Sequence, residues 1–290
     1  MNWPLALGLL PLGVILGFTA TRLVLGWASR RLLDTPCHRS SHTRPTPSGG
    51  GLGILLAFAA LAGLVLLFSP QDARPHPLGL LLTAGPLAVV GWLDDKHGLA
   101  RLPRYLVQFG AATGLVVWLG APLLLLDHLP LLPASLLCVV AVTAAINFTN
   151  FLDGMDGFAG GVACVLFLLS GVAFADPLWW GMAGVLLGFL LLNWHPARIF
   201  MGDVGSTALG LLLCAAWLEP STRPGFAWPL LAAGLPFYGD ALYTILRRLL
   251  RRENIFDAHH SHVYQRLMRA GMRHDTVAGR YIALTALCGG

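Results

Sequence analysis

The sequence predicts an all-α, polytopic membrane protein of about ten transmembrane helices, built as a single unit over residues 1–290. Three observations carry this expectation. Hydrophobic residues make up 56% of the chain and charged residues only 11%, with a mean hydropathy of +0.69. A water-soluble domain carries about 25% charged residues, so this chain has too little polar surface to coat itself. Apolar runs recur along the whole length, separated by short loops rich in Pro, Gly and charge. The basic residues, finally, gather in alternate loops.

A helix needs ~20 residues to cross a bilayer. On that scale the candidate spans are 4–28, 50–69, 78–93, 105–126, 129–146, 158–175, 178–194, 204–219, 226–246 and 276–290. The first begins MNWPLALGLLPLGVILGF, without a basic n-region and too long for a signal h-region, so it reads as a retained span. The last stops at Cys288-Gly289-Gly290 and is barely long enough to cross, so a partial tenth span is one expectation. No internal repeat or separate soluble domain is visible. Cys37, Cys138, Cys164, Cys214 and Cys288 are scattered without CxxC or Cys/His metal spacing and read as small hydrophobes.

Orientation follows from Lys and Arg. Loop one, after the first span, holds Arg30, Arg31, Arg39 and Arg44, and loop three holds Lys96, Arg101 and Arg104. Loop seven holds Arg198, and loop nine holds Arg247, Arg248, Arg251, Arg252, Arg266, Arg269 and Arg273. The even loops hold only Arg74 and Arg223. The positive-inside rule puts the odd loops in the cytoplasm and both termini outside. The formal net charge of +5 therefore encodes topology, which argues against a nucleic-acid partner.

The odd loops also carry the unusual polar residues. Loop three opens on Asp94-Asp95-Lys96, where adjacent carboxylates near lipid call for a cation or proton, unless they form a solvated helix boundary paired with Lys96. In loop five, Asn147, Asn150, Asp153 and Asp156 recur every third residue. On a straight helix that row drifts by about 60° per step. With Gly154 and Gly157 it predicts a helix giving way to a tight loop, either one that wraps a cation and admits a phosphate or an ordinary polar turn. Gly202-Asp203-Val-Gly205-Ser206 opens a span, either as an ordinary helix cap or as a phosphate seat with Asp203 holding the accompanying metal. His259, His260 and His262 in loop nine suit phosphate or proton handling, or simply a solvated interface. Asp240 is an intramembrane carboxylate, functional or bonded to a broken helix.

In order along the chain, Asp34…Arg39…His42…Pro45-Thr-Pro47…Gly49-Gly50, Asp94-Asp95, Asn147-xx-Asn150-xx-Asp153-Gly-x-Asp156-Gly, Pro196-Ala-x-x-Phe200-Met-Gly-Asp203-x-Gly-Ser206 and the loop-nine histidines resemble a known family. It is that of the polyprenyl-phosphate N-acetylhexosamine-1-phosphate transferases. Ser48 stands where many relatives carry a basic residue, and His259-His260-Ser-His262 looks closer to the O-antigen-initiating branch than to the peptidoglycan translocase. The resemblance implies a bacterial inner-membrane enzyme that moves a sugar-1-phosphate from a UDP-N-acetyl sugar to undecaprenyl phosphate with Mg2+ or Mn2+, and the charge count puts its termini on the periplasmic side. Dimerisation is implied by the resemblance alone. The roles expected are catalytic for Asp94, Asp95, Asp153, Asp156, His259 and His262. Asp203, with Asn150 and Asp153, is the expected metal set; Arg39, His42, Asn147, Asn150, Gly205, Ser206 and His260 are the expected substrate contacts.

A transporter or lipid flippase is the rival from another class, since intramembrane carboxylates also mark ion pathways. It would need polar residues near the midplane with access from both sides, whereas here they gather at one interface. A CDP-alcohol phosphotransferase would need one compact multi-Asp helix.

Overall fold

The computed structural model describes residues 3–36, 44–68, 76–119, 129–218, 227–254 and 261–289. Arg39 and His42 in loop one, and His259 and His260 in loop nine, lie outside them. The described chain is helical apart from loops and one two-residue strand pair. The helices are α1 (Trp3–Ala28), α2 (Gly50–Phe68), α3 (His76–His97), α4 (Arg101–Leu119), α5 (Leu131–Leu152), α6 (Phe158–Phe174), α7 (Pro177–Asn193), α8 (Asp203–Leu218), α9 (Ala227–Leu250), α10 (Val263–Arg269) and α11 (His274–Gly289). Each expected span has its helix, and the short α10 lies between the last two. The protein is an all-α, polytopic integral membrane protein.

Stretches within α1, α2, α3 and α5 are long and apolar enough to cross a bilayer unaided. At ~1.5 Å per residue, the 16 residues of α8 reach only about 24 Å. Length is not what holds α8 in place, however. From Val204 to Ala216 every residue is buried, the mark of a helix enclosed by other helices. It is the central post of the bundle, with α3 and α5 packed along it. Helix α7 is also largely buried, against α1 on one side and α6 on the other. Helix α11 packs on α9 and α6, so the short last span is a full member of the bundle. Leu23, Leu67 and Val117, each more than three-quarters exposed, point outward where lipid would cover them.

Several helices run past the apolar stretch that announced them. Helix α3 continues through Asp94 and Asp95 to His97, α4 starts at Arg101, α5 continues through Asn147 and Asn150 to Leu152, and α9 reaches Leu250. Hydropathy marks only the part of a helix within the hydrocarbon, while backbone hydrogen bonding carries the helix into the interface. The other unexpected element is an antiparallel pair in loop one, β1 (Leu33–Asp34) with β2 (Thr46–Pro47).

Candidate active site

Three helix ends and one turn converge at the start of α8. The glycines there set the approach. Gly91 on α3 lies so close to α8 that a methyl group on it would stand 2.6 Å from the carbonyl carbon of Asp203. Gly202, with φ of +76°, makes the left-handed turn that admits the chain into α8. A side chain at Gly202 would meet Asp95 Oδ2 at 2.6 Å.

This contact delivers both carboxylates of the Asp94-Asp95 pair, with different duties. Asp95 faces α8: its Oδ1 accepts from the Asp203 backbone N–H at 2.9 Å and its Oδ2 from that of Val204 at 3.3 Å. It therefore caps a helix N-terminus whose donors would otherwise be unpaired. Asp94 turns toward α4 and the cavity beside Asp203. Its Oδ1 accepts from the Leu99 backbone N–H at 2.6 Å, and its Oδ2 pairs with Arg104 at the start of α4.

Arg104 also reaches Asp203 Oδ2 at 3.5 Å, so one guanidinium lies between two carboxylates. Asp203 Oδ1 accepts from Asn150 Nδ2 at 2.8 Å, and the same amide donates to Ser206 Oγ at 2.9 Å. Asn147, one turn earlier on α5, donates to Gln108 Oε1 on α4 at 2.7 Å. Both asparagines are thus on a continuous helix, and the tight turn begins only at Asp153, the C-cap of α5. Burial, followed by the charges of Asp203 and Asp95, pushes the Asp153 carboxyl well above the ordinary carboxylate range.

Several of these groups border a cavity of about 620 Å³, which Asp95 and Asp153 do not line. Asp94, Arg101, Arg104, Asn147, Asn150 and Asp203 line it, joined by His262 from the N-cap of α10. Leu87, Val90, Phe109, Val140, Phe148 and Ile245 line it as well. Leu87 and Val90 sit one to two turns before Asp94 on α3, and Val140 about two turns before Asn147 on α5. The cavity therefore runs from a charged interface into the apolar layer. Val140 and Phe109, 59% and 48% exposed, leave its flank open toward lipid.

Other expected site residues are placed differently. Ser206 is fully buried, and the backbone N–H groups of Gly205 and Ser206 both donate to the Gly202 carbonyl. Neither residue lines the cavity. Asp156 also lies off the cavity; its Oδ2 is 2.7 Å from His195 Nδ1 and accepts from the Ala197 backbone N–H at 3.1 Å. His262 is held from behind by Asp240 on α9, which accepts from the backbone N–H groups of Val263 and Tyr264 at 2.8 and 3.0 Å and from the Tyr281 hydroxyl at 2.8 Å. Sequence reasoning missed Arg104 and Gln108 as site residues. Their signal was the spacing of Arg101, Arg104 and Gln108, which shares one helical face.

The glycosyl transferase family 4 model matches residues 77–220, which span α3 to the end of α8 and so contain the Asp94, Asn150 and Asp203 convergence. A probable undecaprenyl-phosphate N-acetylglucosaminyl 1-phosphate transferase of Bacillus subtilis (strain 168) is 31% identical, covering 83% of this chain and 71% of the relative. A decaprenyl-phosphate N-acetylglucosaminephosphotransferase of Mycobacterium leprae (strain TN) is 30% identical, over 91% and 77%. A phospho-N-acetylmuramoyl-pentapeptide-transferase of Synechococcus sp. (strain JA-3-3Ab) is 30% identical, over 97% and 88%. With likeness running nearly end to end and through every helix that builds the acidic cavity, the chain belongs to glycosyl transferase family 4.

Proposed function

We propose that this protein transfers an N-acetylhexosamine-1-phosphate from a UDP-sugar to undecaprenyl phosphate at the cytoplasmic face of a bacterial inner membrane, releasing UMP. The product would open O-antigen or related cell-envelope polysaccharide synthesis. One observation carries the reading: a cavity whose charged end holds Asp94, Arg104, Asn150 and Asp203 continues between apolar helix faces that are open toward lipid. That shape fits an acceptor with a phosphate head and a prenyl tail. The three relatives, named as transferases of two polyprenyl-phosphate types and of a muramoyl pentapeptide, support the same class.

In this reaction an oxygen of the lipid phosphate forms a bond to the β-phosphorus of the UDP-sugar. The bridging oxygen between the α- and β-phosphorus leaves with its electron pair as UMP, and the anomeric carbon is untouched. Such transfers depend on positioning and on neutralising charge. Arg104 and Arg101 offer cations to the phosphates. Asp94, held by Arg104 and Leu99, is placed to align the lipid phosphate or accept its proton. Asp95 holds the first turn of α8, and with it Asp203, in register.

The carboxylates of Asp203 and Asp153, with the amide oxygen of Asn150 once that side chain turns its Nδ2 away from Asp203, would give an oxygen-only set that fits Mg2+, or Mn2+ in its place. The fit rests on charge: burial first, and then the neighbouring carboxylates of Asp203 and Asp95, raise Asp153, while Arg104 is the cation that the described residues bring to Asp94 and Asp203. When bound, the ion would neutralise the diphosphate of the donor.

The test is UMP release from a panel of UDP-sugars by purified protein with undecaprenyl phosphate and magnesium, with EDTA as control. Release from one UDP-N-acetyl sugar, dependent on both lipid and magnesium, is expected. Absence of UMP from every donor, with folded protein, overturns the reading.

A further inference from the structure

We propose that Asp156, His195 and His274 form a binding site for a divalent transition metal of the zinc class, separate from the carboxylate cluster around Asp203. The three residues come from the turn after α5, the loop between α7 and α8, and the first residue of α11. Each offers one ligand atom, and the three atoms lie within 4.8 Å of one another. None of the three lines the cavity described above.

The donor chemistry points to a different ion from the one that suits Asp203. Two imidazoles and one carboxylate form a borderline-soft set that favours zinc and its neighbours, whereas oxygen-only sets favour magnesium. Spacing agrees. Bonds of ~2.0 Å at tetrahedral angles place ligand atoms about 3.3 Å apart. Asp156 Oδ2 is 2.7 Å from His195 Nδ1 and 3.7 Å from His274 Nδ1, distances that bracket this value. Small ring rotations would equalise them.

A second, independent observation marks His274. Its Nδ1 is buried and has no hydrogen-bond partner, although it is turned toward Asp156. A buried ring nitrogen without a partner is unfavourable unless something else fills that role. A metal ion would do so. The frame is also fixed before any ion arrives: buried Asn193 accepts from the Gly157 backbone N–H at 3.0 Å and donates to the Ile199 carbonyl at 2.9 Å. The two loops carrying Asp156 and His195 are thereby tied together, and a preorganised set binds more tightly than a mobile one. Three protein ligands leave a fourth position for water or an anion. The site staples α11 to the two loops beside the cavity.

The experiment uses the untagged full chain in detergent, stripped with chelator and then dialysed against zinc, with metal content and thermal stability as readouts. One equivalent of zinc per chain and a saturable rise in Tm are expected. Asp203→Asn should retain both. His195→Asn and His274→Asn place an amide nitrogen near the former Nδ1, so they keep hydrogen-bonding capacity while removing a good ligand. These variants should bind zinc at least ~10-fold more weakly and lose the zinc-dependent rise in Tm. The proposal is overturned if wild-type protein retains no stoichiometric zinc, or if the asparagine variants bind it as wild type does. Either result leaves the transferase reading untouched, because that reading is tested by UMP release.

Discussion

Replacing Gly91 with alanine tests whether the α3–α8 contact sets the catalytic geometry. The added methyl would lie 2.6 Å from the carbonyl carbon and oxygen of Asp203 and from the Cα of Val204. Carbon atoms in ordinary contact are about 3.5 Å or more apart, so the helices must separate by roughly 1 Å. All of the close atoms are backbone, so no side chain can swing aside. The shift falls between Asp94 on one helix and Asp203 on the other, the two carboxylates that share Arg104. A displacement of this size costs on the order of 100-fold in rate, and overpacking lowers stability by about 1–3 kcal/mol. The assay is UMP release at saturating donor and lipid, alongside thermal unfolding in detergent. Gly85→Ala is the control, because a Cβ at Gly85 of the same helix meets nothing within 4 Å. Near-wild-type turnover by Gly91→Ala would refute the idea that this helix crossing fixes the site.

Asp203→Asn should abolish UMP release while the protein still elutes as a folded species; near-normal turnover at saturating magnesium would remove Asp203 from the metal set. Arg104→Ala leaves Asp94 and Asp203 without their shared cation and should lower turnover about 100-fold, with Arg104→Lys recovering part of it because a point charge replaces the fork; equal rates for both variants and wild type would contradict the bridging role. Asp153 has a folded-state carboxyl raised above its unfolded value, so ionising it disfavours the fold as pH rises past about 3.9, with the full penalty reached once pH exceeds the folded value. In EDTA the Tm of wild type should therefore fall with rising pH and that of Asp153→Asn should fall less; parallel curves would show that Asp153 is not the responsible group.

Much of this architecture was legible because the bilayer imposes a strong and simple code. Length and hydropathy were enough to anticipate a helix at each expected span. Asp94, Asn150, Asp153 and Asp203 stood out because carboxylates and amides beside lipid are expensive to keep without a purpose. What stayed hidden depends on rotation and contact between helices. The three-residue recurrence from Asn147 to Asp156 was correctly read as unable to occupy one helix face. Where the helix stops was not readable from it, and α5 continues through Leu152. Arg104 looked like one more topology charge, since only the approach of α4 to α8 brings it to Asp203. His195 and His274 sit 79 positions apart in sequence, and nothing in either neighbourhood announces their meeting at Asp156. Asp240 was open between a functional and a structural reading. Its bonds to Val263, Tyr264 and Tyr281 show a carboxylate that fixes the N-terminus of α10 and so sets where His262 stands.

The charge balance explains why such a site rests on the central post of the bundle. Asp94, Asp95, Asp153 and Asp203 offer four carboxylates, against the guanidiniums of Arg104 and Arg101 and the roughly half positive charge at the N-terminus of α8. Roughly one and a half units of negative charge remain when all four are ionised, and binding a diphosphate donor there would add more. A dication reverses the sign of that interaction. Metal and donor should therefore bind with positive coupling, each raising the affinity for the other by the same factor. The central helix suits this role because it is enclosed on all sides and cannot relax away from the repulsion, so the strain is relieved by ligand rather than by movement. On the proposed reading, the cation and the phosphates it accompanies together complete the charge balance of the acidic cluster.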